Sequence, residues 1–269
     1  MPLVLFRNRT FSATNLLTLF LYGALAAASL FLSLDLVQIQ GYSKTQAGLA
    51  LLPFAILLIV LSPWAGRLSG RLGPRLFLTV GPALVALGLL WLSFQGLAQG
   101  PGAYLSTWLP GIVLFGLGMG FTVAPLSTAV MGSLEPEKAG TASGVNNAVS
   151  RIAGVLVLAV LGAWALLVFS DRWASLLAPL ALDSSQRSLL AAEASKFGGA
   201  ILPTLGNSEL DRAVTETFRN SFNESYRLVL WVCAALAGLG ALAGAGIKGK
   251  NSGPAPSPTG RRAAERNPP

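Results

Sequence analysis

Six long apolar runs dominate the chain, at residues 16–34, 47–65, 76–98, 103–134, 152–170 and 228–247, and none contains Asp, Glu, Lys or Arg. A helix rises about 1.5 Å per residue, so roughly 20 apolar residues cross the hydrocarbon core of a bilayer. Six runs of that length in one chain do not fit the buried helices of a water-soluble core. The pattern predicts an all-α integral membrane protein with six transmembrane helices, the overlong fourth one tilted or projecting. Between the fifth and sixth runs the pattern changes. "SSQRSLLAAEASKF" and "NSELDRAVTETFRNSFNES" predict two amphipathic helices, starting at Ser184 and Ser208. Their Leu189, Leu190, Val214, Phe218 and Phe222 are expected to rest on the membrane surface. The expected organisation is an N-terminal segment (1–15), five spans (16–170), a helical insert (171–227), a sixth span (228–247) and a tail (248–269). The tail is basic and rich in Pro, Gly and Ser, the composition of a disordered segment.

Charge supplies the orientation. Arg7 and Arg9 precede the first span without an acid, and Asp35 balances Lys44 in the next link. Arg67, Arg71 and Arg75 crowd the link "GRLSGRLGPR", whereas residues 99–102 are uncharged. The following link sets Lys138 and Arg151 against Glu135 and Glu137. The insert is nearly balanced, and the tail carries Lys248, Lys250, Arg261, Arg262 and Arg266 against Glu265. An arginine at the centre of a spanning helix costs about 2.5–3.5 kcal/mol, so the three arginines lie outside the core, and Lys/Arg-rich links stay in the cytoplasm. Both termini are therefore expected to be cytoplasmic and the insert extracytoplasmic, in a multi-pass protein of the cell (plasma or inner) membrane. No cleavable signal pattern precedes the first span, which is expected to remain in the protein.

Composition narrows the function. Only 11% of residues are charged and 53% are hydrophobic, against about a quarter charged in soluble domains. The net charge of +8 raises nucleic acid as a partner. The basic residues form no face interleaved with aromatics, so topology and anionic lipid account for them. The chain has no histidine and a single cysteine, Cys233. A serine protease pairing Ser143 of "TASG" with histidine is thereby excluded, as is a zinc protease built on a His-Glu-x-x-His helix. No enzyme activity, metal or cofactor is expected.

Polar groups beside apolar runs are the functional candidates, because intramembrane polar groups are costly and often functional. Asp35 is either a cap at the membrane interface or a proton-exchanging or cation-attracting group at a cavity mouth, with Gln38 and Gln40 beside it. Asn147 and Arg151 are four apart and share a helix face. With Asn146 and Ser150 they form either an inner gate or a solvated helix start. Gly66, Gly70 and Gly73 are expected to build a tight hairpin, with Pro74 opening the next helix. Gly116, Gly118 and Gly120 lie inside an apolar run, where close helix packing and not a phosphate loop is expected. Gly240, Gly244 and Gly246 read the same way. Pro53, Pro63, Pro82, Pro110 and Pro125 either kink helices that flank a cavity or are simply tolerated there.

Gly66, Arg71, Gly73 and Arg75 match the cytoplasmic loop motif of the major facilitator superfamily, Gly-x-x-x-Asp-Arg/Lys-x-Gly-Arg/Lys-Arg/Lys. Gly70 replaces the acid and Pro74 one basic residue. Residues 8–53 resemble the fourteen-helix drug:proton antiporter branch through Gly41, Tyr42, Ser43, Ala47, Gly48 and Pro53, with Gln38 and Gln40 near its usual glutamine. Residues 116–154 resemble a later helix pair of that branch through Gly140, Ala142, Ser143, Gly144, Asn146, Asn147 and Arg151. The resemblance implies one major-facilitator-type bundle, the C-terminal half of a proton-coupled multidrug or small-molecule efflux transporter. It further implies a lipophilic or cationic substrate, protons, membrane lipid, and an N-terminal half (separate or missing) or a second copy as partners. The alternative is a non-transporting membrane subunit or an inactive truncated remnant, since no span contains an acid.

Overall fold

The computed structural model describes residues 3–97 and 100–247. The tail at 248–269, expected to be disordered, lies outside the described residues. Regular structure among the described residues is helical throughout: α1 (Arg9–Gln38), α2 (Lys44–Ala50), α3 (Leu52–Leu72), α4 (Pro74–Ser93), α5 (Tyr104–Met131), α6 (Ala139–Leu177), α7 (Ser184–Ala194) and α8 (Ser208–Ala245). α1, α2 with α3, α4, α5, α6 and α8 supply six helices long and apolar enough to cross a membrane, as the six runs require.

Local chemistry sets the helix ends. The Asn8 side chain accepts from the Thr10 and Phe11 N–H groups and starts α1. Gly41, at φ +74°, turns the chain, and Ser43 and Gln46 form a reciprocal capping box on α2. The link carrying the three arginines is tighter than expected. α3 runs through Gly66 and Gly70 to Leu72, and Gly73 alone makes the turn, at φ +86°. Pro74 opens α4, whose first N–H would be unpaired anyway.

The segment 171–227 also differs from expectation. α6 continues through it to Leu177, and the second predicted amphipathic helix is the first half of α8, capped by Asn207. Only α7 stands alone. Asp183 caps it, and Ser184 is its first residue. Leu190, Val214, Phe218 and Phe222 are buried and only Leu189 is exposed, so this apolar face seals the end of the bundle instead of lying on a bilayer. Its partners are aromatic. Phe169 and Trp173 of α6 pack edge-on against Phe218 at 5.4 and 5.8 Å, and Phe197 stacks on Phe222 at 5.0 Å.

The strongest contacts run in the order α3, α5, α4, α8, α1, α6; α6 also packs against α8, and α5 touches α1 and α6 more weakly. Glycines set the closest approaches. Gly116 and Gly120 meet Phe54, Leu57 and Leu61 of α3, whereas Gly118 faces α4. A Cβ on Gly118 would sit 2.5 Å from the Gly81 carbonyl oxygen and 2.7 Å from the Val85 nitrogen. Residues two apart point to opposite sides of a helix, so "GLGMG" serves two seams at once. Gly244 meets the Leu78 carbonyl with no room for a methyl group, while Gly240 makes ordinary contacts and Gly246 ends α8.

Burial is uneven. Half or more of the most apolar stretch is buried in α1, α4 and α5 (50, 50 and 56%), but only 22% in α6 and 11% in the α2–α3 span. α3 and α6, at the two ends of the packing order, therefore keep bare apolar stripes. Ile56, Val60 and Trp64 belong to one, Ile152, Leu156 and Val160 to the other.

Candidate functional site

The candidate polar residues fall into three places. The first is at the end of α1. Asp35 is fully buried and does not border an open mouth. Its Oδ2 accepts from Gln40 Nε2 at 3.3 Å, and Gln40 Nε2 also donates to the Gly96 carbonyl at 3.2 Å. Asp35 Oδ1 and the Tyr226 hydroxyl have no hydrogen-bond partner among the described residues. Tyr226, on α8, is close enough to Asp35 for the two to interact electrostatically. Gln38 donates to the Gly198 carbonyl and so ties α1 to the segment that follows α7.

The second place is the seam between α1 and α6. The Thr18 hydroxyl lies 2.6 Å from Asn146 Oδ1 and 2.9 Å from the Thr14 carbonyl oxygen, fixing the register of the two helices. Asn15 is buried beside it, its amide donating to the Phe11 carbonyl at 2.8 Å and its Oδ1 unpartnered. Asn147 and Arg151 are exposed on the outer side of α6. Seventeen residues separate Thr18 from Asp35, about 26 Å along α1, so Asp35 and Gln38 do not share a site with Asn146, Asn147 and Arg151.

The third place is the arginine turn. Arg67, Arg71 and Arg75 are all exposed. Arg67 and Arg71 line a hollow with Trp64 and Leu68, at the end of the bare α3 stripe. Gly66 faces α5, where a Cβ would meet Ala124 at 3.0 Å; Gly70 has open space. Thr10, Pro74, Ser133 and Ile247 line one cleft beside this turn, so the first and last described spans begin and end on the side of the turn.

Thr14, Asn15, Thr18 and Tyr226 were not among the candidates. Their sequence signal is a polar side chain on the inward stripe of an otherwise apolar helix, as in Thr14 and Thr18, four apart.

A family model described as the Major Facilitator Superfamily matches residues 2–158. With six membrane-crossing helices packed as one bundle, the chain belongs to the major facilitator superfamily and is a multi-pass membrane protein. It is similar to the multidrug resistance protein Stp of Mycobacterium tuberculosis, 32% identical over 166 residues, which are 60% of this chain and 29% of that protein. It is also similar to the tetracenomycin C resistance and export protein of Streptomyces glaucescens, 29% identical over 243 residues, 88% of this chain and 44% of that protein. A third relative is the cephamycin export protein CmcT of Amycolatopsis lactamdurans, 36% identical over 135 residues, 49% of this chain and 26% of that protein. The chain thus spans between about a quarter and less than half of these relatives' length.

Proposed function

We propose that this bundle is one half of a proton-coupled exporter of lipophilic small molecules, with the arginine turn and both ends of the chain on the cytoplasmic side. The observation that carries the reading is the uneven burial. The bare stripes of α3 and α6 lie at the two ends of the packing order, where a second bundle could meet the first and leave a cavity between them. Alternating access then follows from rocking one bundle against the other. The second bundle is a further part of the same polypeptide, a separate chain or a second copy. The names of the relatives, which speak of drug resistance and antibiotic export, support the substrate class.

Asp35 is the proposed proton-exchanging group. It is an acid buried in the bundle, one of its oxygens has no partner, and no ion pair among the described residues includes it. Inverted membrane vesicles from cells making the chain, with or without a supplied second bundle, test the reading. Energised vesicles should accumulate Nile red, and a protonophore should abolish the accumulation. No accumulation in either arrangement contradicts the proposal.

A further inference from the structure

We propose that Arg151 is the anion-recognition point of a substrate site in the groove between α1 and α6. It would take a small organic molecule through a carboxylate, phenolate or enolate group. This proposal rests on the exporter reading above and adds the charge class of the substrate.

Depth is the first support. The Thr18–Asn146 contact places Asn146 beside the first half of α1, and Arg151 lies five residues further along the parallel α6, about 7 Å deeper. It lines one groove with Tyr22, Leu25 and Ala26. Leu25 is the central residue of the apolar run 16–34, so against α1 Arg151 sits close to mid-depth, although it immediately precedes the apolar run 152–170 of its own helix. A lipid phosphate would have to be drawn more than about 10 Å into hydrocarbon to reach that level. Against lipid tails an arginine costs about 2.5–3.5 kcal/mol on the insertion scale, and intramembrane charges face water-filled cavities or partners.

Pairing and shape are the second support. The ion pairs among the described residues are Lys138–Glu135, Arg172–Glu224 and Lys196–Glu193, and none involves Arg151. The groove has a volume of about 460 Å³ and is shallow, as one wall of a site closed by a second bundle would be. Gly154, Val155 and Leu158 give it an apolar lining suited to a ring system, and Tyr22 lines it as well. A guanidinium presents a planar fork that matches a carboxylate with two parallel hydrogen bonds. No acid is among the described residues that line the groove. Asp35 is sealed inside the bundle thirteen residues beyond Tyr22, about 20 Å along α1. This wall therefore favours anionic over cationic substrates.

The test uses the full chain in nanodiscs of neutral phosphatidylcholine, with fluorescence anisotropy of two dyes, anionic carboxyfluorescein and cationic rhodamine 6G. Arg151→Gln should weaken carboxyfluorescein binding about tenfold or more, Arg151→Lys should retain part of it, and rhodamine 6G binding should not fall. Arg212→Gln, an exposed charge at the start of α8, should change neither. Absent carboxyfluorescein binding by the wild type, or equal binding by Arg151→Gln, overturns the proposal. So does a parallel loss of both dyes with the helix melt unchanged. Vesicle transport separates the two claims. Arg151-dependent binding without transport overturns the exporter reading alone, whereas transport of carboxyfluorescein unaffected by Arg151→Gln overturns the anion site alone.

Discussion

Gly118 and Asp35 show how much depends on single side chains in this bundle. A side chain at Gly118 would press on the backbone of α4, not on a flexible group that can yield. Overpacking of that kind costs about 1–3 kcal/mol. Gly118→Val should lower the thermal midpoint of the detergent-solubilised protein, read by size-exclusion recovery after heating. Gly162→Val, at a position with open space, should leave the midpoint unchanged. Asp35→Asn keeps an acceptor for Gln40 and removes the ionisable group. The variant should fold and reach the membrane, yet lose protonophore-sensitive dye accumulation. Asp35→Leu also removes the carboxylate bond from Gln40, which keeps its bond to the Gly96 carbonyl, and should lower stability by about 1–3 kcal/mol. Both charged candidates were visible in the sequence as lone ionisable groups beside apolar runs. Their depth was not. Asp35 is internal because Gln40 folds back over it and α8 covers it, and Arg151 is near mid-depth because Thr18 meets Asn146. Both facts depend on the register between distant helices, which no local pattern encodes.

Among the elements, the spans were legible and their ends were not. An uncharged run of some twenty residues has little choice but to be a membrane helix. Where the helix stops depends on what packs beside it. Contacts of Phe169 and Trp173 with Phe218 hold α6 to the part of α8 that precedes its apolar run, which turned an expected separate helix into part of α8. The α1–α6 seam gives a direct prediction. A double-mutant cycle of Thr18→Val and Asn146→Ala should show coupling of about 0.6 kcal/mol, the average for hydrogen bonds between membrane helices. α7 should respond to acid. The Gln186 N–H and the Ser185 hydroxyl, each 2.7 Å from Asp183 Oδ1, hold the Asp183 carboxyl below its ordinary value of 3.8. The Lys196 ammonium and the Ile201 N–H likewise lower Glu193. A depressed carboxyl stabilises the fold above its unfolded value, and that contribution is lost as pH falls through the lower folded value. Hydrogen exchange in α7, corrected for intrinsic rates, should therefore speed up below about pH 4, while exchange in α5 should not.

Across the whole molecule, the family and the bundle follow from matched sequence and from packing. The exporter reading turns on where water lies. A bundle exposed to lipid on all sides would gain nothing from Thr141, Asn147 and Arg151 on the outer face of α6, whereas one wall of a cavity needs such groups. The native thiol, Cys233, is fully buried and out of reach of a charged reagent, so introduced cysteines can report on each face. Val155 borders the groove beside Arg151, while Leu239 is exposed on α8, next to Gly240, which contacts Leu17 and Leu21 of α1. The decisive measurement is labelling of a cysteine at each position, in intact membranes, by a charged methanethiosulfonate that cannot enter lipid. The two-bundle account predicts rapid labelling at 155 and none at 239; equal protection of both, or labelling at 239 alone, contradicts it.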